Sequence, residues 1–102
     1  MSLVALIDEG GISVIVGGGR YIVVQPAQAE VAFIVLDEYQ GLGIGRSLMR
    51  HLTNIAREAG LQTLIAEVLP NNIPMLQLFK NSGLQLNMRR EGQIVHVTIL
   101  LS

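Results

Sequence analysis

The residues best suited to chemistry are Gln40-Gly41-Leu42-Gly43-Ile44-Gly45-Arg46, between an apolar run and an amphipathic stretch. Glycines let backbone N–H groups turn toward a ligand and approach it closely. A helix opening at the end of such a loop adds unpaired donors and the positive end of its macrodipole. Together these suit phosphate or pyrophosphate. The alternative is a tight strand-to-helix turn that holds nothing. Two familiar phosphate loops do not fit. A P-loop needs Gly-Lys-Ser/Thr, whereas Gly45-Arg46-Ser47 has Arg for Lys, at the wrong spacing after Gly41. A dinucleotide fold needs G-x-G-x-x-G and an acid about 20 residues on, but the glycine spacing differs and Gln62 or Thr63 stands there.

Other side chains offer less. Cysteine is absent, which removes disulfides, thiolate metal sites and cysteine nucleophiles and fits a reducing, cytoplasmic setting. His51 falls on the polar side of the amphipathic stretch and His96 inside the last apolar run. Neither has a matching carboxylate spacing for a metal pair, so both read as structural. Met49, Met75 and Met88 read as packing residues. Arg89-Arg90 reads as a solvated strand end.

The elements that position the loop follow from hydrophobic period. Leu3–Ile7 is a short apolar strand, and Asp8-Glu9-Gly10-Gly11 is its hairpin turn. Ile12–Val16 resumes as strand. Gly17-Gly18-Gly19 then breaks it or puts a bulge in it before Arg20–Val24. Pro26 turns the chain into Glu30–Leu36, apolar on both faces as in a central strand. From Gly45 the period becomes helical, with Leu48, Leu52, Ile55, Ala56 and Ala59 on one face and a stop at Gly60. Leu61–Leu69 is another strand. A second helix opens at Asn71 or Asn72, carries Pro74 in its first turn and ends at Ser82-Gly83. Leu84–Arg89 and Gln93–Leu101 complete the chain as a hairpin. The predicted order is β-β-β-α-β-α-β-β, an α/β (α+β type) chain with a mixed, mostly antiparallel sheet. A right-handed crossover between Glu30 and Leu69 makes one strand pair parallel.

With 102 residues, the chain has the size of a single domain. Hydrophobic residues make up 50% and charged residues 15%, which excludes intrinsic disorder. The net charge of -1 supplies no field to draw nucleic acid or anionic lipid. No stretch has the length of a membrane span. The apolar fraction is high for a small soluble monomer, so another subunit or a further part of a longer chain is expected to cover some of it.

Gln40-x-x-Gly43-x-Gly45, after a strand and opening a helix, resembles the acetyl-CoA motif Q/R-x-x-G-x-G/A of the GNAT N-acetyltransferases. Downstream, Asn72-x-x-Met75-Leu76-x-Leu78-Phe79-x-x-x-Gly83-Leu84 is similar to the family's N-x-x-A-x-x-L-Y-x-x-x-G-F segment. The resemblance covers roughly Val4 to the C-terminus. It implies acetyl-CoA as donor, an amine as acceptor, and transfer by direct attack on the thioester. Backbone groups of Phe33, Ile34 and Val35 match those that pair with the pantetheine arm. Gln40, Gly41, Leu42, Gly43, Ile44, Gly45 and Arg46 match the pyrophosphate loop. Asn72 matches an asparagine of the pantetheine channel, and it reads equally as a helix cap.

Many members also place a general-base carboxylate where Glu30 stands. Burial in an apolar sheet would raise its pKa and suit it to take a proton from an amine. The alternative is an acid facing water at a strand end. Two departures accompany the resemblance. Phe79 stands where members often have a Tyr that protonates the departing thiolate. About 36 residues precede the loop, enough for three strands but not for the usual opening strand and helix pair. The expected fold is therefore a shortened one. A homodimer or a longer chain would complete it. A non-catalytic acyl-CoA-binding module is the competing expectation.

Overall fold

The computed structural model describes residues 1–101. Six strands form one sheet in the order β1-β2-β3-β4-β6-β5. The strands are β1 Ser2–Glu9, β2 Ile12–Gln25, β3 Gln28–Val35, β4 Thr63–Val68, β5 Gln85–Glu91 and β6 Ile94–Leu100. The helices are α1, Ile44–Glu58, and α2, Ile73–Lys80. All neighbouring strands are antiparallel except β3 and β4, which the α1 crossover makes parallel. This is the expected α+β architecture.

Turn chemistry explains the hairpins. Gly10 and Gly11 have φ of 60° and 83°, the left-handed backbone of a two-residue hairpin loop. Ala27 takes φ 64° after Pro26 and closes the β2–β3 hairpin. The glycine run does not interrupt β2, which is continuous from Ile12 to Gln25. The irregularity lies one residue earlier, where Ala5 pairs with Gly17 but Leu6 with Ile15, leaving Val16 as the extra residue. Close packing accounts for two of the glycines. A Cβ on Gly17 would lie 2.8 Å from the Ile34 carbonyl oxygen, and one on Gly19 would lie 2.7 Å from the Phe33 ring.

The core lies on one face of the sheet. From α1, Leu48, Met49, Leu52, Thr53 and Ala56 are buried. Ile55 is half-buried and Ala59 is the exposed C-cap, so the buried stripe sits slightly to one side of the expected one. The core cluster joins Leu52 with Leu64 of β4, Phe79 of α2 and Ile99 of β6. Met75 and Met88 pack against it.

The opposite face carries no helix among the described residues. β3 alternates: Ala29 and Val31 are buried, while Glu30, Ala32 and Ile34 are exposed. The strand is central in the sheet, but its two faces are not alike, because both helices pack on the same side. Cross-strand register places Val4, Gly18 and Ile34 together on the exposed face, with Ile22 opposite Glu30. Val4, Leu6, Ile15, Ile22 and Ile34 are all more than half exposed.

Candidate functional site

The site begins where β3 and β4 part. They pair only over Gln28–Glu30 and Thr63–Ile65. Beyond Glu30, β3 remains paired with β2 through Val35. The N–H and C=O groups on its other edge, from Val31 onward, therefore have no strand partner. A cleft of about 740 Å³ opens there. Phe33, Ile34 and Val35 form one wall, the glycine loop the far end, and Asn72, Met75 and Leu78 the wall from α2. Such an edge can accept an extended polar chain as an added strand.

The loop is held open by its own contacts. Leu36 N–H donates to Val16 O at 2.9 Å and fixes the end of β3. Asp37–Tyr39 makes one short 3-10 turn. The Gln40 side-chain amide donates to Val35 O and to Asp37 Oδ1, each at 3.2 Å. Its backbone N–H donates to Asp37 O at 3.3 Å. Gln40 thus braces the loop against the strand end. Tyr39 donates to Glu9 Oε1 at 3.1 Å and ties the turn to β1. Partial burial, then the Glu9 carboxylate, raises the pKa of the Tyr39 hydroxyl above its usual value. At neutral pH it stays protonated and keeps donating.

After this brace come unpaired donors. Gly41 and Gly43 have φ of 80° and 86°, with open space where a Cβ would lie. Gly43 caps α1 without a side-chain bond, and the first helical N–H to find an acceptor is Ser47, on Gly43 O at 3.1 Å. Among the described residues no protein acceptor takes the N–H of Gly41, Leu42, Gly43, Ile44, Gly45 or Arg46. These donors and the positive end of α1 converge on the mouth of the cleft, an arrangement suited to pyrophosphate. Gly45 also lies beside α2: a Cβ there would meet Leu78 at 3.4 Å, an ordinary contact.

Asn72 is the helix cap of α2, where its Oδ1 accepts from Met75 N–H at 3.3 Å, and it also borders the cleft. Glu30 lies at the foot of the split, the last β3 residue in register with β4. It is exposed on the helix-free face, between Ile22 and Ile65 on the flanking strands. Its surroundings are aliphatic, but it is not enclosed as expected for a carboxylate inside a sheet. Phe79 is 1% exposed and meets Phe33 edge to face, with ring centroids 6.2 Å apart. Sequence reasoning missed the bracing by Gln40 and the anchoring of Tyr39 by Glu9. Gln40 at the strand end is a local signal for the first. The second joins residues 30 apart and has none.

A parallel pair that parts beside a loop of unpaired N–H donors is built to hold an extended ligand with an anionic end. The profile of the acetyltransferase (GNAT) family matches residues 1–84, and the chain belongs to that family. The chain is 42% identical over 65 residues to an acetyltransferase of Pseudomonas aeruginosa, covering 63% of this chain and 35% of that protein. It is 35% identical over 80 residues to acetyltransferase Pat of Mycolicibacterium smegmatis, covering 76% of this chain and 24% of that protein. It therefore spans about a quarter to a third of these curated relatives. Among solved structures, the GNAT domain of S. lividans PAT superposes with a TM-score of 0.81 at 32% identity, covering 97% of this chain and 60% of that one. The fold is also that of yncA of Salmonella typhimurium, solved with acetyl-CoA: TM-score 0.76, 18% identity, 87% of this chain and 60% of that one. GNAT acetyltransferases use acetyl-CoA as acetyl donor. No helix among the described residues is long and apolar enough to cross a membrane.

Proposed function

We propose that this chain binds acetyl-CoA in the cleft between β3 and β4 and transfers the acetyl group to a primary amine. The observation that carries this reading is the continuity of the free β3 edge with the unpaired N–H run from Gly41 to Arg46. The Phe33–Val35 edge pairs with the extended pantetheine arm. The loop amides receive the pyrophosphate, and Gln40 keeps them in place. Asn72 holds the opening turn of α2 against the channel.

The thioester supplies the acetyl group. An N–H near Val35 polarises its carbonyl, as a fixed donor does at developing oxyanion charge. Glu30 takes the proton from the attacking amine, which enters from the helix-free face at the foot of the split. Phe79 has no proton to give, so solvent protonates the leaving thiolate. This same residue favours a second reading, an acyl-CoA-binding module without turnover. The acceptor is a small-molecule amine or a protein lysine. The helix-free aliphatic face is closed by a second copy or by another part of a longer cytoplasmic chain.

Acetyl-CoA is expected to raise the melting temperature, because a ligand selective for the folded state stabilises it by about 2.7 kcal/mol at 100 times its Kd. Replacing Gly43 and Gly45 together by Val is expected to abolish the shift. Gly43→Val places a branched residue at positive φ with its side chain in the open space proposed for the ligand, and a Cβ on Gly45 meets Leu78 at 3.4 Å. An unchanged shift in a variant with intact circular dichroism overturns the loop assignment. Thiol release across an amine panel then separates transferase from binding module. The chain has no Cys to add background.

A further inference from the structure

The sheet ends in two edge strands, β1 and β5, and they are built differently. β5 carries Arg89, Arg90 and Glu91. Arg89 and Glu91 form a salt bridge at 3.0 Å, and Arg90 Nε donates to Gly92 O at 3.1 Å. Charges along an edge oppose pairing with another chain. β1 lacks this protection: Leu3-Val4-Ala5-Leu6-Ile7 holds no charge, no proline and no glycine. A long apolar edge is a template for a further strand.

The outward backbone groups of β1 follow from its pairing. Met1 O accepts from Tyr21 N–H at 3.0 Å, so the odd-numbered residues of β1 turn their N–H and C=O toward β2. The extra residue of the bulge belongs to β2, so this alternation continues along β1. The backbone groups of Ser2, Val4, Leu6 and Asp8 therefore point away from the sheet. Their side chains are exposed on the helix-free face. Arg20, in register with Ser2, is exposed on the same face. Neither Asp8 nor Arg20 makes a hydrogen bond or ion pair with a described residue.

We propose that two copies of this chain pair through β1, antiparallel about a two-fold axis at Ala5, joining their six-stranded sheets edge to edge. In this register Ser2 meets Asp8 of the second copy, Leu3 meets Ile7, and Val4 meets Leu6. Even residues meet even ones, as the outward hydrogen-bonding groups require. Arg20 then lies two strand spacings, about 10 Å, from Asp8 of the second copy, with only the small Ser2 side chain between. The symmetry makes this ion pair twice. A shift by two residues would keep the hydrogen bonds but set Ser2 against Leu6 or Gly10 and lose the charge match. On the helix-free face, the row Ile34, Gly18 and Val4 continues into Leu6 and Ile15 of the second copy. The donor cleft is lined by other residues, so this inference stands apart from the proposed function.

The test is sedimentation velocity of the parent chain, V4P, D8R, R20E and the double variant D8R/R20E over a concentration series. The parent is expected to be a dimer that added salt weakens. Proline at the outward Val4 position removes no β1–β2 hydrogen bond and blocks the edge, so V4P is expected to be a monomer with unchanged circular dichroism. D8R and R20E each set like charges together in both symmetric contacts and are expected to raise the dimer Kd about tenfold, the size of two exposed ion pairs lost. The double variant restores opposite charges and is expected to return close to the parent Kd. These surface reversals leave the core untouched and keep the test open if V4P misfolds. A parent that stays monomeric throughout, or a dimer that the single reversals leave intact, overturns the inference. A double variant as weak as the single ones overturns the register.

Discussion

The two faces of the sheet are built differently. One is covered by α1 and α2 and holds the core, in which Leu52, Leu64, Ile99 and Phe79 are almost wholly buried. The other carries no helix among the described residues, and presents Glu30 beside Ile22, with Val4, Leu6, Ile15 and Ile34 further along the same face. On the proposed function, the packed face backs the donor cleft and the open face receives the acceptor. Because β3 contributes alternate residues to both, a single strand links the binding cleft to the proposed base. Pairing between β3 and β4 ends at Glu30, and the cleft is lined from Phe33 onward, further along the same strand.

The comparison breaks most severely at Glu30. Glu30→Gln keeps size and hydrogen bonding but removes the proton acceptor. Turnover at neutral pH is expected to fall by about 10²–10⁴, the usual contribution of a positioned general base. Acetyl-CoA affinity should hardly change, since the loop and the β3 edge are untouched. Equal kcat/KM in both proteins, with one working acceptor, would refute the assignment and leave solvent or a free amine as the route.

A smaller effect distinguishes the faces by stability. Leu52→Ala, inside the covered face, is expected to cost about 2–5 kcal/mol by lost burial and a residual cavity. Ile22→Ser, on the bare face, is expected to cost under about 0.5 kcal/mol in the isolated monomer, as surface substitutions usually do. If a second copy covers that face, the same substitution should also shift light scattering from dimer toward monomer. Denaturant melts of both variants, with scattering before and after Ile22→Ser, read the difference directly.

The smallest effect sharpens the role of the α2 cap. Asn72→Ala removes the acceptor for Met75 N–H and is expected to cost about 1 kcal/mol. Asn72→Asp keeps an acceptor and should restore stability. If the residue also meets the pantetheine arm, donor affinity will fall in the alanine variant beyond the loss from fraying. Identical affinities in parent and both variants would confine Asn72 to capping.

Much of this was legible in the sequence, and the reasons are local. Helical period identified α1, and Asn71 or Asn72 with Pro74 identified the start of α2, where the structure selects Asn72 as cap, because capping and φ restriction act within a few residues. Gly41-Leu42-Gly43 in front of an amphipathic stretch marked the turn into α1, since only glycine takes positive φ cheaply there. Less legible was the strand that reads as apolar on both sides. Composition cannot tell a strand buried on both faces from one whose second face lies bare.

Other features are decided only by tertiary structure. The sequence determined the order of the elements, the glycine loop, the Phe at position 79 and the crossover that makes β3 and β4 parallel. It could not determine where those strands part, because pairing depends on groups from Gln28–Glu30 and Thr63–Ile65, which are distant along the chain. Nor could it show that Gln40 braces the strand end, that Tyr39 reaches Glu9, or that both helices choose the same face. Short-range conformational preferences are written residue by residue. Which edge stays unpaired and which face stays bare emerge only when segments far apart compete for the same hydrogen bonds and the same apolar surface.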